Sequence, residues 1–443
     1  MGNQFLKSRG CKQLPITHYQ LPITNYQLPI TNYQMELIIM KFKQKWVLTV
    51  LIPLLYGIIP STYANDNLET IVNSNNAFAL DLYANLKNEK KGNLFFSPYS
   101  ISTALAMAYA GARGNTAKQM AQVLHFTLTP KQLHPAFARL KNQLNTTQEK
   151  SNLTLNIANA IWLEQTYPFV QEFITLLKQH YQAEPNAVDF KTAYDTVRKT
   201  INTWVEQQTN NKIKNLIKPD TLDQLTRLVL VNAIYFKGDW DAPFEENYTK
   251  DDIFWVTPRK EVKTPMMTQT KEFNYLETQE AQLIELSYTN HDLSMIILLP
   301  KDKNGLTQLE NSLSHKNLNT WLARLRSQEV KVYLPKFKTT SELNLGKTLS
   351  LMGMPDAFNN SSADFSGITP SKDIFISALL HKAFVEVNEE GTEAAAATGF
   401  IAKITSIGEP PPIFKADHPF IFIIRDNHSG SILFLGRMIN PQK

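Results

Sequence analysis

One stretch, residues 386–399, constrains what this chain can fold into more than any other. Ahead of it Ala383, Val385 and Val387 alternate with Phe384 and Glu386, which is strand period. Gly391 interrupts the strand, and no large apolar side chain follows until Phe400. Between them lie Thr392, Glu393, Ala394, Ala395, Ala396, Ala397 and Thr398. Alanine is the best helix former, so local propensity alone makes this a short helix. The surroundings argue for a strand. No proline occurs in residues 391–409, and Pro410, Pro411 and Pro412 then follow in a row. A proline-free stretch can donate every N–H to a ladder, which proline in a central strand cannot do. Residues two apart share a sheet face, so Thr392, Ala394, Ala396 and Thr398 make one face of small side chains. Such a face can slide over a packed core. The segment can be a loop and can also become a buried strand.

The run from Gly391 to Thr398 closely resembles the reactive-loop hinge of serpins, the serine-protease inhibitors. Three further motifs carry the resemblance. Asn93, Leu94, Phe95, Phe96, Ser97, Pro98, Tyr99, Ser100 and Ile101 resemble the family's entry into its second helix. Residues 230–240, which include Asn232 and end in Gly238, Asp239 and Trp240, resemble its central strand. Ala416, Asp417, His418, Pro419 and Phe420, continuing to Gly436 and Arg437, resemble its signature. The match runs in order from about Asn67 to Pro441. The chain is similar to a bacterial-type, secreted serpin.

A leader precedes the match. Residues 14–20, 21–27 and 28–34 are three copies of a heptapeptide with proline in second place. Proline every seven residues excludes a coiled coil. Residues 1–34 therefore read as a flexible arm or as a translated DNA repeat upstream of a start at Met35 or Met40. Lys41, Lys43 and Lys45 then precede an apolar run over residues 46–60, and Ala64 ends a small-residue tail. Residues 35–64 have the layout of a secretory signal, and an uncleaved anchor is the second reading. A secreted or periplasmic protein with no membrane contact after cleavage is expected. The leader holds six of the 45 Lys and Arg and one of the 40 Asp and Glu, leaving 39 of each. A formally neutral remainder gives no support to nucleic-acid binding by bulk charge. The single cysteine, Cys11, also lies in the leader, so the rest can form no disulfide. Stability must come from the core, and a 43% hydrophobic chain of 443 residues supplies enough.

Apolar residues recur at helical spacing from Leu68 to Leu86. Ser97 followed by Pro98 is a good helix start, continued by Ile101, Leu105 and Ala108. Residues 153–163 read as a strand and 194–208 as an amphipathic helix. Residues 228–236 are almost unbroken apolar, the pattern of a strand buried on both faces. Residues 295–300, 330–334 and 383–387 are further strands. Residues 420–424 and 431–435 flank Asp426, Asn427, His428, Ser429 and Gly430 and read as a hairpin. Helices come early and strands later, so the fold class is α+β, with helices packed on large mixed sheets. No low-complexity linker divides residues 65–443, which read as one domain.

The sequence holds no Gly-x-Ser-x-Gly elbow, no His-Glu-x-x-His zinc motif and no phosphate-cradling glycine loop. Neither a catalytic group, a metal site nor a cofactor is expected. His381 and His418 each adjoin an apolar run and read as satisfied core histidines. Ser97, Ser100 and Asn232 are polar residues in apolar surroundings and need partners if buried. On their own they read as helix caps and a strand-edge asparagine. The resemblance implies instead that they and His381 form a cluster beneath the centre of the main sheet, where two strands part. It also implies that Trp240 lies at the top of that sheet, where the loop first enters. Glu389 would pair there with Lys336; the plain alternative is two solvated charges.

By the same resemblance the chain inhibits serine proteases as a suicide substrate. A loop from about Gly391 to Pro412 is the bait, and the protease's serine forms an acyl-enzyme with it. The freed hinge then inserts as a strand. The family's spacing from Gly391 puts the reactive bond at Thr405–Ser406, with Ile404 or Lys403 as alternative bait residues. Thr405 suits an elastase-like or subtilisin-like protease, met by a monomer. The alternative function is a non-inhibitory serpin, a carrier or chaperone-like binding protein. The small residues at Thr392, Ala394 and Ala396 count against it. A hydrolase on another fold is the third.

Overall fold

A computed structural model describes residues 61–151, 153–392 and 410–443, with no side-chain account at 61–65, 150 and 151. The leader to residue 60, the hinge residues Glu393, Ala394, Ala395, Ala396, Ala397 and Thr398, and the bond Thr405–Ser406 lie outside the described residues.

The first helix, Ser61–Glu89, starts seven residues before its apolar stripe. Neither glycine nor proline interrupts it, and its stripe of Ile71, Phe78, Leu82 and Leu86 is fully buried or nearly so. The residues that read as the tail of a signal sequence are thus its first turn. The helix Pro98–Tyr109 is capped by Ser97, whose side chain accepts from the Ser100 N–H, and proline occupies its first position. It is buried almost throughout, as its lack of charged side chains requires.

The described strands form two sheets. The nine-stranded one runs Leu94–Phe96, Ile432–Met438, Phe420–Asp426, Leu293–Pro300, Ala281–Ser287, Lys260–Glu277, Arg326–Pro335 and Ile413–Lys415, with Lys250–Thr257 added on Lys260–Glu277. The expected hairpin is in it: Phe420–Asp426 pairs antiparallel with Ile432–Met438. Its turn uses Gly430 at a φ of 77°, where a side chain would be strained.

The six-stranded sheet positions the site. Its order is Phe337–Asn344, Ile376–Val387, Gly391–Thr392, Leu228–Asp239, Thr154–Glu164 and Asn186–Val188. Leu228–Asp239 is its central strand. Leu230, Ile234 and Phe236 point into the main core, while Val229, Val231, Ala233 and Tyr235 pack under the helix Phe190–Gln208. Burial on both faces explains why the sequence shows no alternation there. The edge strand Phe337–Asn344 does alternate, buried and exposed in strict turn, because only one of its faces is covered. The sequence-derived α+β class, with helices on large mixed sheets, describes this architecture.

Candidate functional site

The central strand and Ile376–Val387 run parallel and paired for part of their length only, with a register shift between Ile376 and Ala378. Pairing begins at Leu228 with Ile376 and ends at Tyr235 with Phe384. Past that point the strands part, and Gly391–Thr392 enters the gap. Gly391 pairs with Asp239 and Thr392 with Gly238 on one side, and Thr392 with Val387 on the other. The first two hinge residues therefore already form a short strand between two long ones.

The turn feeding this wedge is tightly bonded. Asn388 Oδ1 accepts from the N–H groups of Glu390 and Gly391, both at 3.1 Å. The Asn388 N–H donates to the Gly391 carbonyl at 2.9 Å. The backbone N–H groups of Trp240 and Phe244 donate to the Glu390 and Glu389 carbonyls, each at 2.8 Å. The Trp240 indole N–H donates to the Asn388 carbonyl at 3.0 Å. Trp240 stacks on Tyr288 with centroids 4.7 Å apart, and the Tyr288 hydroxyl meets the Thr392 hydroxyl at 2.8 Å. Thr392 is fully buried. Only glycine fits at 391: a Cβ there would lie 2.2 Å from the Gly238 carbonyl oxygen and 2.7 Å from Asp239 Cα.

Glu389 and Lys336 meet at 2.6 Å, with side chains 5% and 39% exposed, so they are not two solvated charges. Thr249 Oγ1 donates a second bond to Glu389 at 2.8 Å. Burial alone raises the Glu389 carboxyl, but the bonds from Lys336 and Thr249 outweigh it and hold its pKa below the usual carboxylate range.

A polar row crosses the sheet below the parting. His381, Asn232 and Asn159 sit side by side on three neighbouring strands. The Ser97 N–H donates to His381 Nε2 at 3.2 Å, which leaves the proton on Nδ1 to donate to Asn232 Oδ1. The Asn232 amide donates to Ser100 Oγ at 2.6 Å and also to Asn159 Oδ1. Ser100 Oγ donates to Asn159 Oδ1 at 3.1 Å, and Asn159 returns a bond to the Ser100 carbonyl at 3.2 Å. Ser97 Oγ donates to the Leu433 carbonyl at 2.6 Å, tying the row to the second sheet. Ser97, Ser100, Asn232 and His381 are all fully buried. Burial lowers the His381 pKa to about 3, so the imidazole is neutral at pH 7. His418 has both ring nitrogens engaged, with Asp417 Oδ1 and the Pro300 carbonyl at 2.7 Å each.

The structure thus assembles two groups whose members lie far apart in sequence, Trp240 with Glu389 and Lys336, and Ser97 with Ser100, Asn232 and His381. It adds partners outside the sequence-based expectation. Asn159 lies between Ala158 and Ala160 in an apolar strand, the same signal that marks Asn232. Asn388 and Thr249 sit in polar context and carry no such signal, and Tyr288 reads as a core aromatic. Among the described residues there is no group of three or more His, Cys, Asp or Glu placed to hold a metal, and no helix long and apolar enough to cross a membrane.

Comparison with known proteins bears on this geometry. A family model described as serpin (serine protease inhibitor) matches residues 73–441. The leukocyte elastase inhibitor of Xenopus laevis is 44% identical over 382 residues, and that of Homo sapiens 43% over 383. Serpin B10 of Papio anubis is 42% identical over 401 residues. In each case 84% of this chain covers 100% of the relative. Uncleaved ovalbumin superposes with a TM-score of 0.77 at 32% identity, over 84% of this chain and 100% of ovalbumin. Serpin48 of Tenebrio molitor, described as a highly specific serpin, gives 0.74 at 36%, over 85% and 98%. These findings correct the expected localisation. The elastase inhibitors and serpins B10 and B3, each covered in full by 84% of this chain, stand against the expected secreted or periplasmic protein. They are also animal proteins, and lend nothing to a bacterial-type assignment.

Proposed function

Because the chain belongs to the serpin family of serine protease inhibitors, we propose that its activity is carried by the segment that starts at Gly391 and enters the main sheet once a protease has cut it. The observation that carries this reading is the wedge: Thr392 is hydrogen-bonded between two strands that diverge around it. The inhibitory unit is one domain over residues 65–443, acting as a monomer and contributing no catalytic group. The relatives named for elastase inhibition favour a protease with a small aliphatic pocket.

The register of the wedge supports the geometry of insertion. Continued down the two flanking strands, it sets Ala394 opposite Phe236 and Val385. Ala396 follows opposite Ile234 and Ala383, and Thr398 opposite Asn232 and His381. Opposed residues share a face, so the small side chains would pass over the packed core and the polar row. The His381–Asn232 bond crosses the seam and must break on insertion, and the Thr398 hydroxyl would arrive between its two ends.

The same register runs out at Ala402, opposite Leu228 at the foot of the strand. Thr405–Ser406 would then lie just beyond the far end of the sheet, with the protease attached there. Paired residues 391–402 span about 40 Å at ~3.3–3.4 Å per residue. Some ten newly paired residues bring about twenty ladder bonds and replace about eight across the seam. At ~0.5–1.5 kcal/mol each the gain is about 6–18 kcal/mol. Such a gain is enough to distort an oxyanion hole and stall deacylation.

The test is incubation with elastase, subtilisin and trypsin, followed by denaturing gels and mass spectrometry of the released C-terminal fragment. A denaturant-stable complex with a fragment starting at Ser406 is expected. Starts at Thr405 or Ile404 move the bait to Ile404 or Lys403. Cleavage without complex would overturn the inhibitory reading.

A further inference from the structure

The hinge poses a register problem that its own side chains do not solve. Insertion would set Thr392, Ala394, Ala396 and Thr398 on one face of the sheet. A slip of one residue turns Glu393 onto that face and is opposed by the burial of its charge. A slip of two keeps the face and exchanges one small side chain for another over most of it. Packing discriminates weakly between two such registers. Yet a strand two residues out would carry Ala396 or Phe400 to His381, in place of Thr398.

The turn ahead of the wedge can settle the register, because both states share it. Val387 pairs with Thr392, so residues 388–391 are the four-residue turn of a hairpin whose second strand is the hinge. Insertion lengthens that strand and leaves the turn where it is. Asn388 closes the turn. Its Oδ1 accepts from the N–H groups two and three residues on, those of Glu390 and Gly391, which is an Asx-turn extended by one bond. Its backbone N–H donates to the Gly391 carbonyl, and its carbonyl accepts from the Trp240 indole. In a turn of two or six residues Asn388 would face Glu389 or Glu393, and the bonds to Gly391 would be lost. Gly391, lacking a Cβ, fits against Gly238 only where the four-residue turn puts it.

We propose that Asn388 is a positioning residue for loop insertion: by holding the turn at four residues, it fixes the register in which the cleaved hinge enters the sheet. It acts through the turn and not on the protease. The role rests on the insertion mechanism proposed above.

A cross-linking map tests this. The full chain, with Cys11→Ser to remove its one cysteine, carries Ala383→Cys together with Ala394→Cys, Ala396→Cys or Thr398→Cys. Asn388 and Gly391 are a hydrogen-bonded pair, so residues 383 and 396, an odd number of steps on, would be a non-bonded pair. Cα atoms in such a pair lie ~4.5 Å apart, which suits a disulfide. After nicking within residues 400–410 and oxidation with diamide, peptide mass spectrometry reads which cysteines have joined. The pair at 383 and 396 should join about tenfold faster than either neighbouring pair. In Asn388→Ala, which loses both bonds to Oδ1, that preference should fall to about threefold or less, and Asn388→Asp, which keeps an acceptor there, should restore it. A general loss of stability would change all three pairs together. An unchanged preference in Asn388→Ala overturns the assignment, and Asn388→Asp behaving as Asn388→Ala overturns the role of the side-chain acceptor. With Asn388 kept, joining of none of the three pairs overturns insertion itself, and joining of a neighbouring pair instead overturns the register.

Discussion

Thr392→Arg puts the wedge under direct strain. Thr392 is fully buried, pairs on both sides, and shares its hydroxyl with Tyr288. A guanidinium in its place would face an aromatic wall and find no counter-charge, at a cost of several kcal/mol. In the intact chain that cost is capped, because the hinge can lift out. Lifting forfeits three or four hydrogen bonds, about 1.5–6 kcal/mol at ~0.5–1.5 each. During insertion there is no such escape, since residue 392 leads the strand in. A barrier raised by about 2–5 kcal/mol slows insertion by a factor of about thirty to several thousand. Deacylation then wins, and the variant is cut as a substrate. Denaturing gels over a range of protease ratios measure the split between complex and nicked chain. Thr392→Val is the control: it keeps the shape, loses the hydroxyl, and should still form complex. An arginine variant with wild-type complex yield and melting temperature would show that residue 392 is inserted in neither state.

Acid should weaken the fold through His381. Its pKa is about 3 in the fold and ~6.5 in the unfolded chain, so the unfolded chain binds the extra proton between those values. Stability is complete above pH ~6.5 and falls by about 1.4 kcal/mol per unit as pH drops toward 3. His134, lowered by burial to about 4, acts in the same direction. Urea midpoints between pH 6.5 and 4.5 should therefore depend less on pH in His381→Asn, and an unchanged slope refutes the assignment. Lys336→Met strands the buried Glu389 carboxylate and should cost about 1–3 kcal/mol, between the values for surface and buried pairs. Adding Glu389→Gln should recover much of that loss in denaturant titrations; a double mutant as weak as the single counts against it. Asn232→Ala removes partners from His381, Ser100 and Asn159 together, and chemical denaturation should show a loss of about 2–5 kcal/mol. Nicking within residues 400–410 should raise the calorimetric melting temperature above that of the intact chain, and equal temperatures would remove insertion.

The strands and helices legible in the sequence are those whose burial leaves a period or a run. The central strand shows as an apolar run because both faces are covered, and the helix Pro98–Tyr109 shows through its cap and its proline. The apolar stripe of the first helix begins only at Leu68, yet the helix begins at Ser61, because a helix can extend through polar residues when nothing breaks it. At the site, Asn232 is legible because a polar side chain in an apolar run demands a partner. Asn159 carries the same mark, and its partners become visible only when the strands are paired. Asn388 and Thr249 are not legible, because their roles depend on a turn and an ion pair formed by residues far along the chain. The paired state of Glu389 is equally hidden, since sequence gives its charge and not its burial.

The polar row explains how a sheet can be both closed and ready to open. A purely apolar seam would offer nothing to exchange, so opening it would be unfavourable throughout until the new strand had entered. Here, besides the ladder, a side-chain hydrogen bond from His381 to Asn232 crosses the seam, and each end has a second anchor. His381 is fixed by the Ser97 N–H, and Asn232 by Ser100 and Asn159. Those anchors keep the two groups in place when their mutual bond breaks. A strand arriving in the register set by Thr392 would bring Thr398 between them, with a hydroxyl able to donate to one and accept from the other. The polar cost of opening is then transient, and the ladder gain remains. Thr398→Val keeps the shape and removes the exchange, so it should leave the intact chain's melting temperature unchanged and lower that of the nicked chain. Calorimetry of both forms checks this, and an equal shift in the two would mean that Thr398 does not reach the row.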